Sequence, residues 1–119
     1  MNSYRDLIVW QKAFRLAKEI YRLTGKFPHS EMYGLSAQLR RASVSIVSNI
    51  AEGFSRKSYK ENQQFLSVAF GSSSEVETQI LLAKDLGYSH MQDYESLENL
   101  LQEVRKMLNT MLRRSISNS

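Results

Sequence analysis

Apolar residues recur along this chain at alternating intervals of three and four, the period of a helix that buries one side. From about Asp6 to Thr24, Leu7, Trp10, Phe14, Ala17, Tyr21 and Thr24 are spaced 3,4,3,4,3, and Val9, Ala13, Leu16, Ile20 and Leu23 form a second row beside them. Together the two rows predict a broad apolar face on a first helix. The segment GKFPHS at 25–30 ends it, because Pro28 has no amide proton to donate and disfavours helical backbone at Phe27. A second helix is predicted from about Glu31 to Ala51, with Leu35, Leu39, Ala42, Ile46, Asn49 and Gly53 in one row and Ser43, Val47, Ile50 and Phe54 in the next.

Ser58-Tyr59-Lys60-Glu61 has the form of a capping box and marks the start of a third helix, from Ser58 to Leu86, with Gly87 as its stop. Phe65, Ala69, Ser72, Val76, Gln79 or Ile80, Ala83 and Leu86 form its inward stripe. A last helix, from about Met91 to Arg113, carries Tyr94, Leu97, Leu101, Val104, Leu108 and Met111, and the tail from Ser115 to Ser119 is expected to fray. Strand patterns are nearly absent. Four amphipathic helices joined by short connections predict an all-α fold, an antiparallel up-down four-helix bundle, with residues 1–119 as one domain.

Composition narrows the chemistry. At 119 residues and 42% hydrophobic content the chain can bury one core without staples. It has no cysteine, which excludes disulfides, thiolate catalysis and cysteine-ligated zinc. No 18-residue apolar run is present, and the opening MNSYRDLIVWQ lacks the pattern of a secretory leader, so a soluble, cytoplasmic protein without membrane contact is expected. A metal site in a bundle needs inward carboxylates with Glu-x-x-His, but the only histidines, His29 and His90, fall in connections and neither follows a glutamate by three. Nor does any serine have a histidine near it in the predicted helices to act as a base. Glu52, Glu75 and Glu77 are candidates for an inward carboxylate cluster, read here as a hydrogen-bonded structural network. The expectation is a non-enzymatic protein with no cofactor and no metal.

Charge is uneven. Residues 1–60 hold 11 Lys/Arg against 4 Asp/Glu, whereas residues 61–119 hold 5 against 8. Lys12, Arg15, Lys18, Arg22 and Lys26 crowd the polar side of the first helix, and Arg40, Arg41, Arg56, Lys57 and Lys60 border the second and third. Such a set suits the phosphates of RNA or DNA, an acidic protein partner, or plain solvation. Small residues also concentrate: Ala42, Ser43, Ser45, Ser48 and Ala51 on one helix, and Ala69, Gly71, Ser72, Ser73 and Ser74 on another, where they would permit close backbone approach. Arg41, Ser45, Ser48 and Glu52 form a polar row, for which spacing leaves a solvated face and a subunit contact both open.

The wording of the chain is itself distinctive. DLIVWQKA at 6–13, FPHSEMYGLSAQLRRAS at 27–43, SIVSNIAEGFSR at 45–56, AFGSSSEVETQ at 69–79 and LAKDLGY at 82–88 together resemble the 23S rRNA intervening-sequence protein family of four-helix bundle proteins. The resemblance implies a ring-like homopentamer, encoded in some bacteria within insertions of large-subunit rRNA genes, with no defined enzymatic activity. It further points to a related branch, the accessory variability protein of diversity-generating retroelements, a basic pentamer that associates with a reverse transcriptase and nucleic acid. By position, Asn49, Glu52 and Gly53 match the NIAEG word, Gln38, Arg40 and Arg41 the QLRRA word, and Gly71, Ser72 and Glu75 the GSxxE word. The resemblance assigns these residues mainly to fold and assembly. Ser43 stands where the pattern would have alanine.

Overall fold

The structure, a computed structural model, describes residues 3–118, with side chains through Arg113. It consists of helices α1 (Ile8–Thr24), α2 (Leu35–Ser55), α3 (Tyr59–Asp85) and α4 (Gln92–Asn118), with short 3-10 turns at Tyr4–Asp6 and His29–Glu31. Each helix packs on its sequence neighbours and α1 closes on α4, while among the described residues the diagonal pairs make no close backbone approach. That ring of contacts is the up-down four-helix bundle, about 45 Å long and 23 × 21 Å across. The contact between α2 and α3 is the most extensive.

Local chemistry sets most of the boundaries. The first helix is shorter than expected, because Leu7 is extended and a separate turn precedes it, capped by the Ser3 hydroxyl accepting from the Arg5 amide. The second begins at Leu35, four residues later than expected. Its first amide is taken by the Glu31 carboxylate at 2.9 Å, so Glu31 serves as an acceptor for the helix start from outside the helix. The same carboxylate accepts from the Tyr88 hydroxyl at 2.8 Å, tying the two connections at this end of the bundle. The Leu35 amide, then Tyr88, hold Glu31 below the usual carboxylate range.

The start of α3 follows the capping pattern in its first half: Ser58 Oγ accepts from the Glu61 amide at 3.3 Å. At the other end Gly87 adopts φ +76°, a left-handed conformation that suits glycine. There the Gly87 amide donates to Lys84 O and the Tyr88 amide to Ala83 O, both at 3.0 Å, the paired bonds of a Schellman stop. The fourth helix continues through Asn118, past the expected end at Arg113 and into the tail expected to fray. Of that tail, Ser119 lies outside the described residues.

One core runs the length of the bundle. Leu16, Ile20, Leu39, Ile46, Ile50, Val76, Ile80, Leu101, Val104 and Leu108 are essentially inaccessible, each such side chain contributing about 1.5–3 kcal/mol by leaving water. Tyr94 is buried with its hydroxyl donating to Tyr88 O, and burial chiefly pushes its pKa up to about 12.

Two parts of the expected core differ. Only the Val9, Ala13, Leu16, Ile20, Leu23 row of α1 is fully inside; of the other row, Phe14 and Tyr21 are each 45% exposed. A helix in a four-membered ring has neighbours on two flanks and a free outer side, so a face as wide as both rows cannot be covered. On α3, Leu66 is buried in place of Phe65, which is half-buried, and Leu86 is exposed because the backbone leaves the helix there.

Candidate functional site

The cations named from sequence do not form one patch. Lys12, Arg15, Glu19 and Arg22 of α1 and Lys26 just past its end follow each other at 3,4,3,4 and border α4. Two of these cations meet acidic residues of α4: Lys12 pairs with Glu103, and Lys26 with Asp93 at 3.0 Å. Between them Ser96 donates to Glu19 at 3.0 Å. The row thus closes the bundle along one seam. Asp93 also accepts from the Ser89 hydroxyl and the His90 amide. Its pKa falls to about 2, with Ser89 the largest cause and Lys26 next. Lys12 likewise holds Glu103 low.

Arg40 and Arg41 are adjacent in sequence but differ in role. Arg40 Nε donates to Thr24 Oγ1 at 2.8 Å and its Nη2 to Tyr21 O at 3.3 Å, with the guanidinium 4.7 Å from the Tyr21 ring centre. It is committed to the end of α1, where a cation also opposes the negative pole of the helix. Arg41 is exposed, has no ion pair among the described residues, and edges a cavity of about 190 Å3 with Gln38, Ala42, Ser45, Ser72 and Glu75. Arg56 pairs with Glu52 at 3.0 Å and lies over Phe65. Lys57 and Lys60 stand exposed at the α2–α3 connection.

The three words of the family pattern meet along the α2–α3 contact. The Gln79 amide donates to Gln38 at 3.2 Å, the Ser45 and Ser72 hydroxyls share a bond of 2.7 Å, and the Asn49 amide donates to Ser45 O at 2.8 Å. Further along, the Asn62 amide donates to Gly53 O at 2.8 Å. A Cβ at Gly53 would meet Asn62 O and Phe65 Cβ at 3.3 Å, so the absence of a side chain sets the helix spacing here. Ser43 is buried, and its hydroxyl is satisfied by Arg40 O at 2.9 Å.

Gly71 departs from the expected close approach: it is exposed, and a Cβ there would meet nothing within 4 Å. Ser73 and Ser74 serve a contact not foreseen. Arg105 of α4 donates to Ser73 Oγ at 2.8 Å and Ser74 Oγ at 2.9 Å, over the Phe70 ring. The small side chains leave room for that guanidinium. The sequence signal for it was an arginine directly after Val104 of the apolar row.

The carboxylates considered as a cluster do not converge. Glu52 is exposed with Arg56, Glu75 borders the cavity, and Glu77 faces α4, accepting from Gln102 at 2.6 Å with Arg105 at 3.8 Å. Glu75 and Glu77 are two residues apart, which puts them on different sides of a helix. Among the described residues no group of three His, Asp or Glu is placed to hold a metal ion, and no helix is long and apolar enough to cross a membrane. His29 and His90 are exposed.

The arrangement of bundle and words is shared with known proteins. The profile of the 23S rRNA-intervening sequence protein family matches residues 5–110. The chain belongs to that family. A family-related crystal structure, a protein of unknown function from the S23 ribosomal protein family of Bacteroides thetaiotaomicron, superposes with a TM-score of 0.81 at 25% identity, covering 88% of this chain and 98% of that one. No curated protein matches the chain. The family match spans all four helices except the last turns of α4, so the α2–α3 words and the α1–α4 seam both lie inside it.

Proposed function

We propose that this member of the intervening-sequence family is a non-catalytic homo-oligomer that associates with RNA or DNA through its basic surface. One observation carries the reading. Of the ten cations named from sequence, Arg15, Lys18, Arg22, Arg41, Lys57 and Lys60 remain exposed with no ion pair among the described residues. Exposed, unpaired cations keep their counterions until a polyanion displaces them, and release of those counterions favours association. Assembly into a ring, five copies in the form the resemblance implies, would repeat a modest patch and raise its avidity.

The test is an anisotropy titration of structured RNA and of duplex DNA across salt concentrations. Binding should weaken as salt rises, with a slope reduced by about one for each phosphate-facing cation removed. Absence of salt-dependent binding to either nucleic acid ends the proposal. A second reading, a scaffold for an acidic protein, draws on the exposed Leu81, Leu82 and Leu86 near the end of α3, which suit protein contact better than phosphate. Recovery of the same partner after nuclease treatment would favour it.

A further inference from the structure

We infer that the outward face of α1 is a stacking platform for single-stranded nucleic acid, a step that rests on the polyanion reading and specifies its ligand. The face is built as a column of rings and cations. Trp10 and Phe14 stack with centroids 5.0 Å apart and planes at 25°, and Tyr4 tilts against Trp10 at 5.3 Å. Past Phe14 the Lys18 ammonium lies 5.4 Å from the ring centre, and one turn on, Tyr21 is backed by the Arg40 guanidinium.

Phe14 and Tyr21 are half exposed, as already noted, and they are seven residues apart, about 10 Å along the same side of the helix. Each is held from behind, Phe14 by Trp10 and Tyr21 by Arg40, so neither ring must be ordered when a ligand arrives. Arg15, Lys18 and Arg22 run beside them, exposed and without ion pairs among the described residues. A nucleotide brings a π face and a phosphate together, which is the pairing this column repeats.

The ligand is single-stranded because a duplex hides its base faces in its own stack, whereas an unpaired base offers them to an aromatic ring. A duplex would use the cations and leave the rings idle. An apolar protein surface would use the rings but strip water from unpaired cations with nothing in return. A base arriving over Phe14 displaces the Lys18 ammonium toward the adjoining phosphate, exchanging a weak exposed ammonium–ring contact for a stronger stack. RNA and DNA share this chemistry.

The experiment compares a labelled single strand, as RNA and as DNA, with a duplex of equal phosphate count, using anisotropy on wild type and on Phe14→Leu/Tyr21→Leu. Leucine keeps apolar area but has no π face, and both sites are exposed enough for the fold to persist, which circular dichroism checks. Trp10 is the only tryptophan and provides a second readout, since a base stacked at Phe14 lies one ring away. The double variant should lose single-strand affinity by about tenfold or more while duplex binding changes less than about twofold, and quenching of Trp10 by the single strand should fade. Phe14→Trp/Tyr21→Phe, which restores π faces, should bind as wild type. Unchanged single-strand affinity in the leucine variant overturns the platform and leaves salt-dependent binding standing. No binding of any nucleic acid removes both. Dissociation of the assembly in the leucine variant, read by native mass measurement with affinity per protomer unchanged, would mean the face is covered by a second copy and also overturns it.

Discussion

Arg40 and Arg41 are the clearest case of two identical side chains with separate work. The Arg40 guanidinium bonds the buried Thr24 hydroxyl and an end carbonyl of α1, whereas Arg41 is exposed at the rim of the cavity that Glu75 also lines, with no ion pair among the described residues. Removing Arg40 deletes charge-assisted hydrogen bonds, and Arg40→Ala should lower stability by about 1–3 kcal/mol in urea unfolding. Arg41→Ala should stay within about 0.5 kcal/mol of wild type while reducing the salt slope of nucleic-acid binding by about one. The opposite pattern, a stability loss at Arg41 with unaltered slope, would move the phosphate surface elsewhere. Within QLRRA the two arginines were indistinguishable, because their roles depend on which is rotated toward α1. Ser43 was legible only in part: its row also holds the exposed Phe54, but a hydroxyl on a helix can close on a carbonyl of its own helix, as Ser43 does on Arg40 O.

At the level of elements, the α2–α3 pair depends on glycine at one position and not at another. Both Gly53 and Gly71 lie within helices, where alanine is favoured over glycine by about 1 kcal/mol. At Gly71 nothing opposes that gain, so Gly71→Ala should raise stability by about 1 kcal/mol. At Gly53 the added carbon meets a backbone carbonyl and the Phe65 Cβ, neither of which can swing away, and overpacking costs about 1–3 kcal/mol. Gly53→Ala should therefore melt below wild type, and equal gains at both sites in thermal melts would show this contact to be slack. Helix positions were readable from periodicity and punctuation, since capping and the Gly87 stop are local chemistry. The start of α2 was not, because its acceptor is the Glu31 side chain, outside the helix and held in place by Tyr88 from a distant connection.

Across the whole molecule, the seam between first and last helices couples closure of the bundle to pH. The Asp93 carboxyl, held at about 2 against an ordinary 3.8, and Glu103, also held low, both gain from being ionised in the folded state. A folded pKa below the unfolded one supports stability above the unfolded value and loses that support as pH falls through the folded value. Thermal melts should therefore decline between about pH 4 and pH 2, and Asp93→Asn should show a shallower decline over that interval. A decline of equal steepness in the variant would place the acid sensitivity in other carboxylates. The repeat of three and four with the short connections between its runs determined four helices in up-down order, and the words of the chain determined the family, because all of these are properties of neighbouring residues. Neither determined which row of α1 lies inside, which cations are spent on ion pairs, or that Phe14 and Tyr21 face outward. Those follow from partners distant in the chain, as with Lys12 and Glu103, 91 residues apart, and from a ring of four helices that can cover only part of each one's surface.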